Sequence, residues 1–117
     1  MKKRDALVAL AALAQENRLD VFRLLVEAGP GGLPAGSVAD ALRLAPNTLT
    51  FHFDRLREAG LVTVRRDGRQ MIYAAQFDRM NALLGYLAEN CCQGRREACA
   101  PAACAPPVAA VRPKERV

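Results

Sequence analysis

The chain has 117 residues, enough for one domain with a single core, and 51% of them are hydrophobic. No apolar run is long enough to span a bilayer, which argues against a membrane protein. Lys and Arg outnumber Asp and Glu by 17 to 12, a net charge of +5 that suits a polyanionic partner without demanding one.

At the N-terminus, KKR followed by ALVALAALA imitates a signal peptide. Asp5 interrupts the basic part, however, and the apolar part runs directly into an amphipathic pattern. A cytoplasmic protein is expected, with its four cysteines reduced or acting as ligands rather than forming a disulfide framework. Arg4 to Gln15 is predicted as a first helix, apolar around much of its circumference. Such a helix suits a core position or a subunit interface. Asn17 offers an N-cap for a second helix, RLDVFRLLVEA, with Leu19, Phe22, Leu25 and Val26 on one face. Gly29 ends it, and GPGGLP reads as a turn. A third helix is expected from Pro34 or Ala35 to Arg43, burying Val38, Ala41 and Leu42.

Leu44-Ala45-Pro46 leads tightly into Pro46 to Ala59, PNTLTFHFDRLREA. At about 100° per residue, Leu49, Phe53 and Leu56 share a narrow stripe, and Asn47, Phe51, Asp54, Arg55 and Glu58 lie opposite. Pro46 suits a first helical turn, and Gly60 the position just past the last. Two short helices joined by a few residues, the second polar near its start, have the helix-turn-helix layout. LVTVRRDGRQMIYA follows. Asp67-Gly68 between two β-rich runs signals a two-residue hairpin loop, pairing Arg66 with Arg69, Val64 with Met71 and Val62 with Tyr73. Two arginines opposed across a hairpin repel each other. DNA phosphate or a narrow minor groove would turn that cost into attraction, whereas a solvated tip would merely tolerate it.

Phe77 to Asn90 is predicted as the last helix, with Phe77, Met80, Leu84 and Leu87 as its stripe and Leu83 widening it. These residues suit core or dimer packing. Beyond Gly94 the chain is rich in Ala and Pro and lacks aromatics, the composition of a mostly disordered tail. The organisation expected is therefore a domain over 1–92 and a Cys-containing flexible tail over 93–117.

The order of these pieces resembles the ArsR/SmtB family of winged-helix bacterial repressors over roughly Leu7 to Leu87. The most diagnostic phrase is T-x-H-F-x-x-L-x-x-A-G-L-V followed by R-x-G-x-x-x-x-Y. The resemblance implies a mainly α winged helix-turn-helix of five helices with a β-hairpin wing. It further implies a homodimer built from the first and last helices and a double-stranded operator released when a toxic metal or metalloid binds. On the matched positions it places Asn47, Thr48, Thr50 and Phe51 at the DNA-facing start of the recognition helix. Arg55 on the same outer side and Arg66 and Arg69 of the wing complete the predicted DNA-binding set. Phe51 stands where the family often has a polar residue; it either touches thymine methyls or packs on the preceding helix. His52, followed by Phe53 on a helix flank, reads as a packing residue rather than a metal ligand.

The inducer site has to come from this chain's own ligands. LPAGSVADAL holds no cysteine, and the only histidine is His52, so two of the family's sites lack their residues. All the thiols are C-terminal: Cys91, Cys92, Cys99 and Cys104. Thiolate-rich ligation selects thiophilic ions, and Arg95 and Arg96 are expected to favour thiolates. The Cys-Cys-x6-Cys arrangement is similar to that of arsenite repressors using three C-terminal cysteines. It implies As(III), or Sb(III), as inducer at Cys91, Cys92 and Cys99. Adding Cys104 would instead make a four-thiolate site for zinc or cadmium, and a disulfide redox switch or an organoarsenical bound by two cysteines also stays open. An enzyme is not expected, because a single histidine on a packed helix supports no nucleophilic set. A metal-storage protein would have no use for the arginine-bearing hairpin.

Overall fold

In a computed structural model, residues 1–94 are described as five helices and a small antiparallel sheet. Helix α1 (Lys3–Leu13) turns Ala6, Ala9 and Ala12 inward. Small residues at that spacing let α1 lie close against α2 (Glu16–Ala28) and α4 (Pro46–Glu58), leaving Leu7, Val8 and Leu10 facing out. The apolar circumference expected for α1 is thus two faces with different tasks.

Helix α2 begins two residues earlier than predicted. Gln15, not Asn17, is its N-cap, with the Gln15 side-chain oxygen accepting from the Arg18 backbone N–H at 2.9 Å. Its buried residues are Val21, Phe22 and Leu25, while Leu19 is exposed. Both stripes satisfy helical spacing; packing against α4 and the sheet selects the one centred on Val21. Helix α3 (Ala35–Leu42) buries Val38 and Ala39, with Ala41 exposed and Leu42 half-buried, a similar rotation from the expected set.

The segment predicted as a plain turn contains a strand. Leu33–Pro34 form β1, which pairs with Tyr73 and Ile72 of β3 (Gln70–Ala75), and β2 (Val62–Asp67) lies on the other side of β3. Two residues carry no alternation, and proline tolerates an edge strand, where its missing N–H costs nothing. Gly32, at φ +73, lets β1 approach: a Cβ there would overlap the Tyr73 carbonyl oxygen. Gly32→Ala is therefore expected to destabilise the domain by about 2 kcal/mol through strain and clash. Urea denaturation would show this, and an unchanged midpoint would remove β1 from the structural account.

The wing is present, but in a different register. Asp67 pairs with Gln70, Arg66 with Met71, Val64 with Tyr73 and Val62 with Ala75, so the loop is Gly68-Arg69. Gly68 has φ +65, and Arg69 is not among the residues with positive φ. That is the pattern of a turn with glycine at its first central position; the predicted loop would have required Asp67 to take a positive φ as well. Arg66 and Arg69 consequently do not face each other across the hairpin.

The core joins both motifs. Leu49, Phe53 and Leu56 are buried as predicted, and the Phe53 ring stacks on Tyr73 of β3 with centroids 3.6 Å apart and planes within 4°. This contact anchors the wing to α4. Helix α5 (Phe77–Leu87) is shorter than predicted and packs through Leu83, leaving Leu84 and Leu87 exposed.

Candidate nucleic-acid interface and thiol pair

Helices α3 and α4 meet through the three-residue link Arg43-Leu44-Ala45, with Arg43 in the left-handed conformation (φ 56) that turns the chain. Pro46 occupies the first turn of α4, and no side chain from the N-cap position closes that end. The outer face of α4 carries Asn47, Phe51 and Arg55 at successive four-residue steps, which places them in one ridge. With Thr48 and Thr50 beside it, this face is exposed along its length.

Each predicted residue has a definable state. The Asn47 side-chain oxygen accepts from the Thr48 N–H at 3.0 Å, which leaves its amide donors facing outward. Thr50 donates its hydroxyl to the Pro46 carbonyl at 3.0 Å, so a phosphate would have to compete with that carbonyl for its single donor. Arg55 lies over the Phe51 ring, 5.0 Å from its centroid, and donates through Nη1 to Glu58 at 2.9 Å. Phe51 keeps much of its ring in solvent. It is 52% exposed, and its ring meets the edge of His52 at 5.8 Å.

His52 points the other way and is buried at 5% exposure, with Nδ1 unpartnered. Burial, reinforced by the positive charge of Arg18, pushes its pKa below the usual histidine value, so the ring is neutral at neutral pH. The packing role expected for it agrees with that burial.

At the wing, Arg66 and Arg69 are exposed, and Arg66 Nε donates to the Gly68 carbonyl at 3.2 Å, folding the side chain back over the loop. The cationic tip survives the change in register, although the opposed-arginine argument does not. Arg65 escaped the sequence reading. It sits on the other face of β2 and donates to the Gly31 carbonyl at 3.2 Å, tying the wing to the turn before β1. Its signal was present in the run of adjacent arginines, but its partner belongs to a loop 34 residues away.

The thiols begin just after α5. Asn90 has φ 59, and Cys91–Gly94 form a tight turn in which Cys92 and Gln93 are also left-handed. Cys91 and Cys92 stand in a turn just beyond the helix, which ends at Leu87 rather than at Asn90 as predicted, with their sulfurs 3.4 Å apart. The hydrogen bond to Cys92 is the main cause raising the Cys91 pKa, with burial and the charge of a Cys92 thiolate adding to it. The arginines expected to favour thiolates are not among the described residues. Arg95, Arg96, Cys99 and Cys104 lie outside the described residues, and among those described no three His, Cys, Asp or Glu side chains form a metal-binding group.

A two-helix unit with an exposed polar second helix, buttressed by a β-hairpin with an arginine tip, is a winged helix-turn-helix DNA-binding domain. A family described as a helix-turn-helix domain matches residues 13–65. The chain is 35% identical over 77 residues to an uncharacterized HTH-type transcriptional regulator, YceK of Bacillus subtilis, covering 65% of this chain and 76% of YceK. Among solved structures it resembles HlyU from Vibrio cholerae (28% identity, TM-score 0.60, covering 80% of this chain and all of that one), which is also known in a reduced form. A Mycobacterium bovis domain, described as homodimeric and as a possible ArsR-family regulator, matches with 27% identity and TM-score 0.60, covering 74% of this chain and 81% of that one. This chain belongs to the ArsR family of winged helix-turn-helix transcriptional regulators. Its relatives are regulators rather than enzymes, and no helix among the described residues is long and apolar enough to cross a membrane.

Proposed function

We propose that the protein is a cytoplasmic, homodimeric repressor that leaves its operator when As(III), or Sb(III), binds Cys91, Cys92 and Cys99. The observation that carries this reading is the pair of sulfurs 3.4 Å apart immediately after α5. That separation is far longer than the ~2.05 Å of a disulfide. A trivalent metalloid takes soft sulfur ligands in a pyramid, so two adjacent thiols need only a third to complete its coordination. When arsenous acid reacts with a thiol, an As–S bond replaces an As–O bond and the thiol proton leaves with the hydroxyl as water. A protonated resting Cys91 is compatible with that exchange, whereas a divalent ion must expel the proton into solvent.

Helix α5 connects input to output in this scheme. Its exposed Leu84 and Leu87, with Leu7 and Leu10 of the adjacent α1, form the apolar face proposed as the dimer seam. The related mycobacterial domain is homodimeric, which supports that assignment. Ligand binding at the turn after α5 biases the dimer toward a spacing at which two recognition helices no longer fit successive major grooves. By linkage, operator and inducer weaken each other equally, typically by about 1–3 kcal/mol. The repressing sense belongs to the proposal, since HlyU of Vibrio cholerae is named an activator.

A second reading has its own support, because the related HlyU is known in a reduced form. There, two thiols surrender two protons and two electrons to an oxidant and close a disulfide. Gel shifts on reduced protein separate the two. Under the metalloid reading arsenite releases DNA without an oxidant, one metalloid binds per subunit, and Cys91→Ser or Cys92→Ser raises the arsenite needed by about tenfold or more, the loss expected for one soft ligand. Release of those variants as readily as the unaltered protein would exclude the metalloid site, and release only by oxidant would favour the disulfide switch. Tight zinc or cadmium binding that collapses with Cys104→Ser would instead point to four-thiolate ligation.

A further inference from the structure

We infer that Phe51 and Arg55 act as a single reading unit for a thymine and a guanine on neighbouring base pairs of the operator. Asn47, Phe51 and Arg55 form the exposed ridge of α4, and eight residues of helix at about 1.5 Å each carry that ridge along roughly 12 Å of groove. Phe51 is the anomaly in this ridge. It is 52% exposed, with the His52 ring edge-on to it and the Arg55 guanidinium over its face. A flat apolar surface in a face otherwise made to meet polar base edges has one apolar counterpart in the major groove, the thymine C5 methyl.

Arg55 is held from two sides. Its guanidinium lies 5.0 Å from the Phe51 ring centroid, and only Nη1 is engaged by Glu58, at 2.9 Å. Nε and Nη2 are left for another acceptor pair, and two parallel donors from one arginine match O6 and N7 of guanine. A long, flexible side chain normally loses several rotamers on binding; ring and carboxylate have already removed much of that freedom. Because ring and guanidinium are in contact, the two bases they meet must be neighbours. Glu58 adds discrimination, since it faces phosphates unfavourably unless Arg55 remains beside it.

This inference rests on the DNA-binding fold and is independent of the metalloid reading, so it is tested on reduced, metalloid-free full-length protein. Selection from a randomised duplex library should enrich a thymine next to a guanine in each half-site. In the selected duplex, replacing that thymine by deoxyuridine removes only the methyl group and is expected to weaken binding about fourfold, the worth of one buried methyl. Replacing the guanine by 7-deazaguanine removes one of its two acceptors, for about a fivefold loss. Phe51→Ala should be insensitive to the deoxyuridine exchange, and Arg55→Ala should lose the preference for guanine at that position. Both side chains are exposed, and circular dichroism verifies folding. Indifference of the unaltered protein to the methyl, or an unchanged consensus in both variants, overturns the unit while leaving DNA binding intact. A library that enriches no sequence at all overturns the DNA-binding reading along with it.

Discussion

Leu84→Glu combined with Leu87→Glu is expected to yield a folded monomer that no longer holds its operator tightly. Both side chains are exposed on α5, so neither supports the core of its own subunit, which uses Leu83 at that height. In the proposed two-fold dimer the pair of substitutions removes four leucines from the proposed seam. At about 1.5 kcal/mol per side chain they represent roughly 6 kcal/mol, before any cost of burying carboxylates. At 1.4 kcal/mol per decade, that weakens dimerisation by more than about four orders of magnitude. A monomer has one recognition helix and reads one half-site, so the gain from binding two linked half-sites disappears. Analytical ultracentrifugation at micromolar protein, with operator gel shifts, reads both effects. Persistence of the dimer would relocate the seam, and a shifted unfolding midpoint in the monomer would mean that these leucines serve the fold.

Two phenylalanines separated by one residue should behave oppositely when truncated. Phe53 is 1% exposed and stacks on Tyr73, so Phe53→Ala leaves a cavity at the joint between recognition helix and wing. Large-to-small changes of this kind cost about 3–5 kcal/mol, a large part of the 5–15 kcal/mol that typically holds a domain together. Phe51→Ala removes an exposed ring and should stay within about 0.5 kcal/mol. Chemical denaturation of the two variants side by side would test the assignment of inner and outer faces on α4. Comparable losses would mean that Phe51 is buried in the assembled protein and cannot meet DNA.

That pair also shows how the sequence is legible. Helical spacing separates Phe53 from Phe51 because three large apolar residues, Leu49, Phe53 and Leu56, have no alternative stripe on that helix. On α2 the same rule is ambiguous: Leu19 and Val21 both belong to acceptable stripes, and only Val21 is buried. The thiols divide in the same way. Their clustering at the C-terminal end is plain in the sequence, while the left-handed turn that sets Cys91 and Cys92 side by side is not.

By itself, the sequence determined the features whose causes are local. Pro46 starts α4 because its fixed φ suits a first turn; Gly29 and Gly60 end helices with φ of 87 and 77, values that a Cβ penalises; a hairpin turns at Gly68 because glycine there can reverse the chain. Tertiary structure decided what depends on partners distant in the chain. It placed the hairpin loop at Gly68-Arg69, with Val64 opposite Tyr73 and Tyr73 stacked on Phe53. It recruited Leu33–Pro34 as a third strand because Gly32 allows close approach to Tyr73. It also sorted the apolar residues of α1 and α5 into alanines and Leu83 that close the core, and leucines that remain for another surface. Spacing along a chain restricts which side chains share a face, but the free energy of burial depends on what lies opposite, and that exists only once the elements have packed.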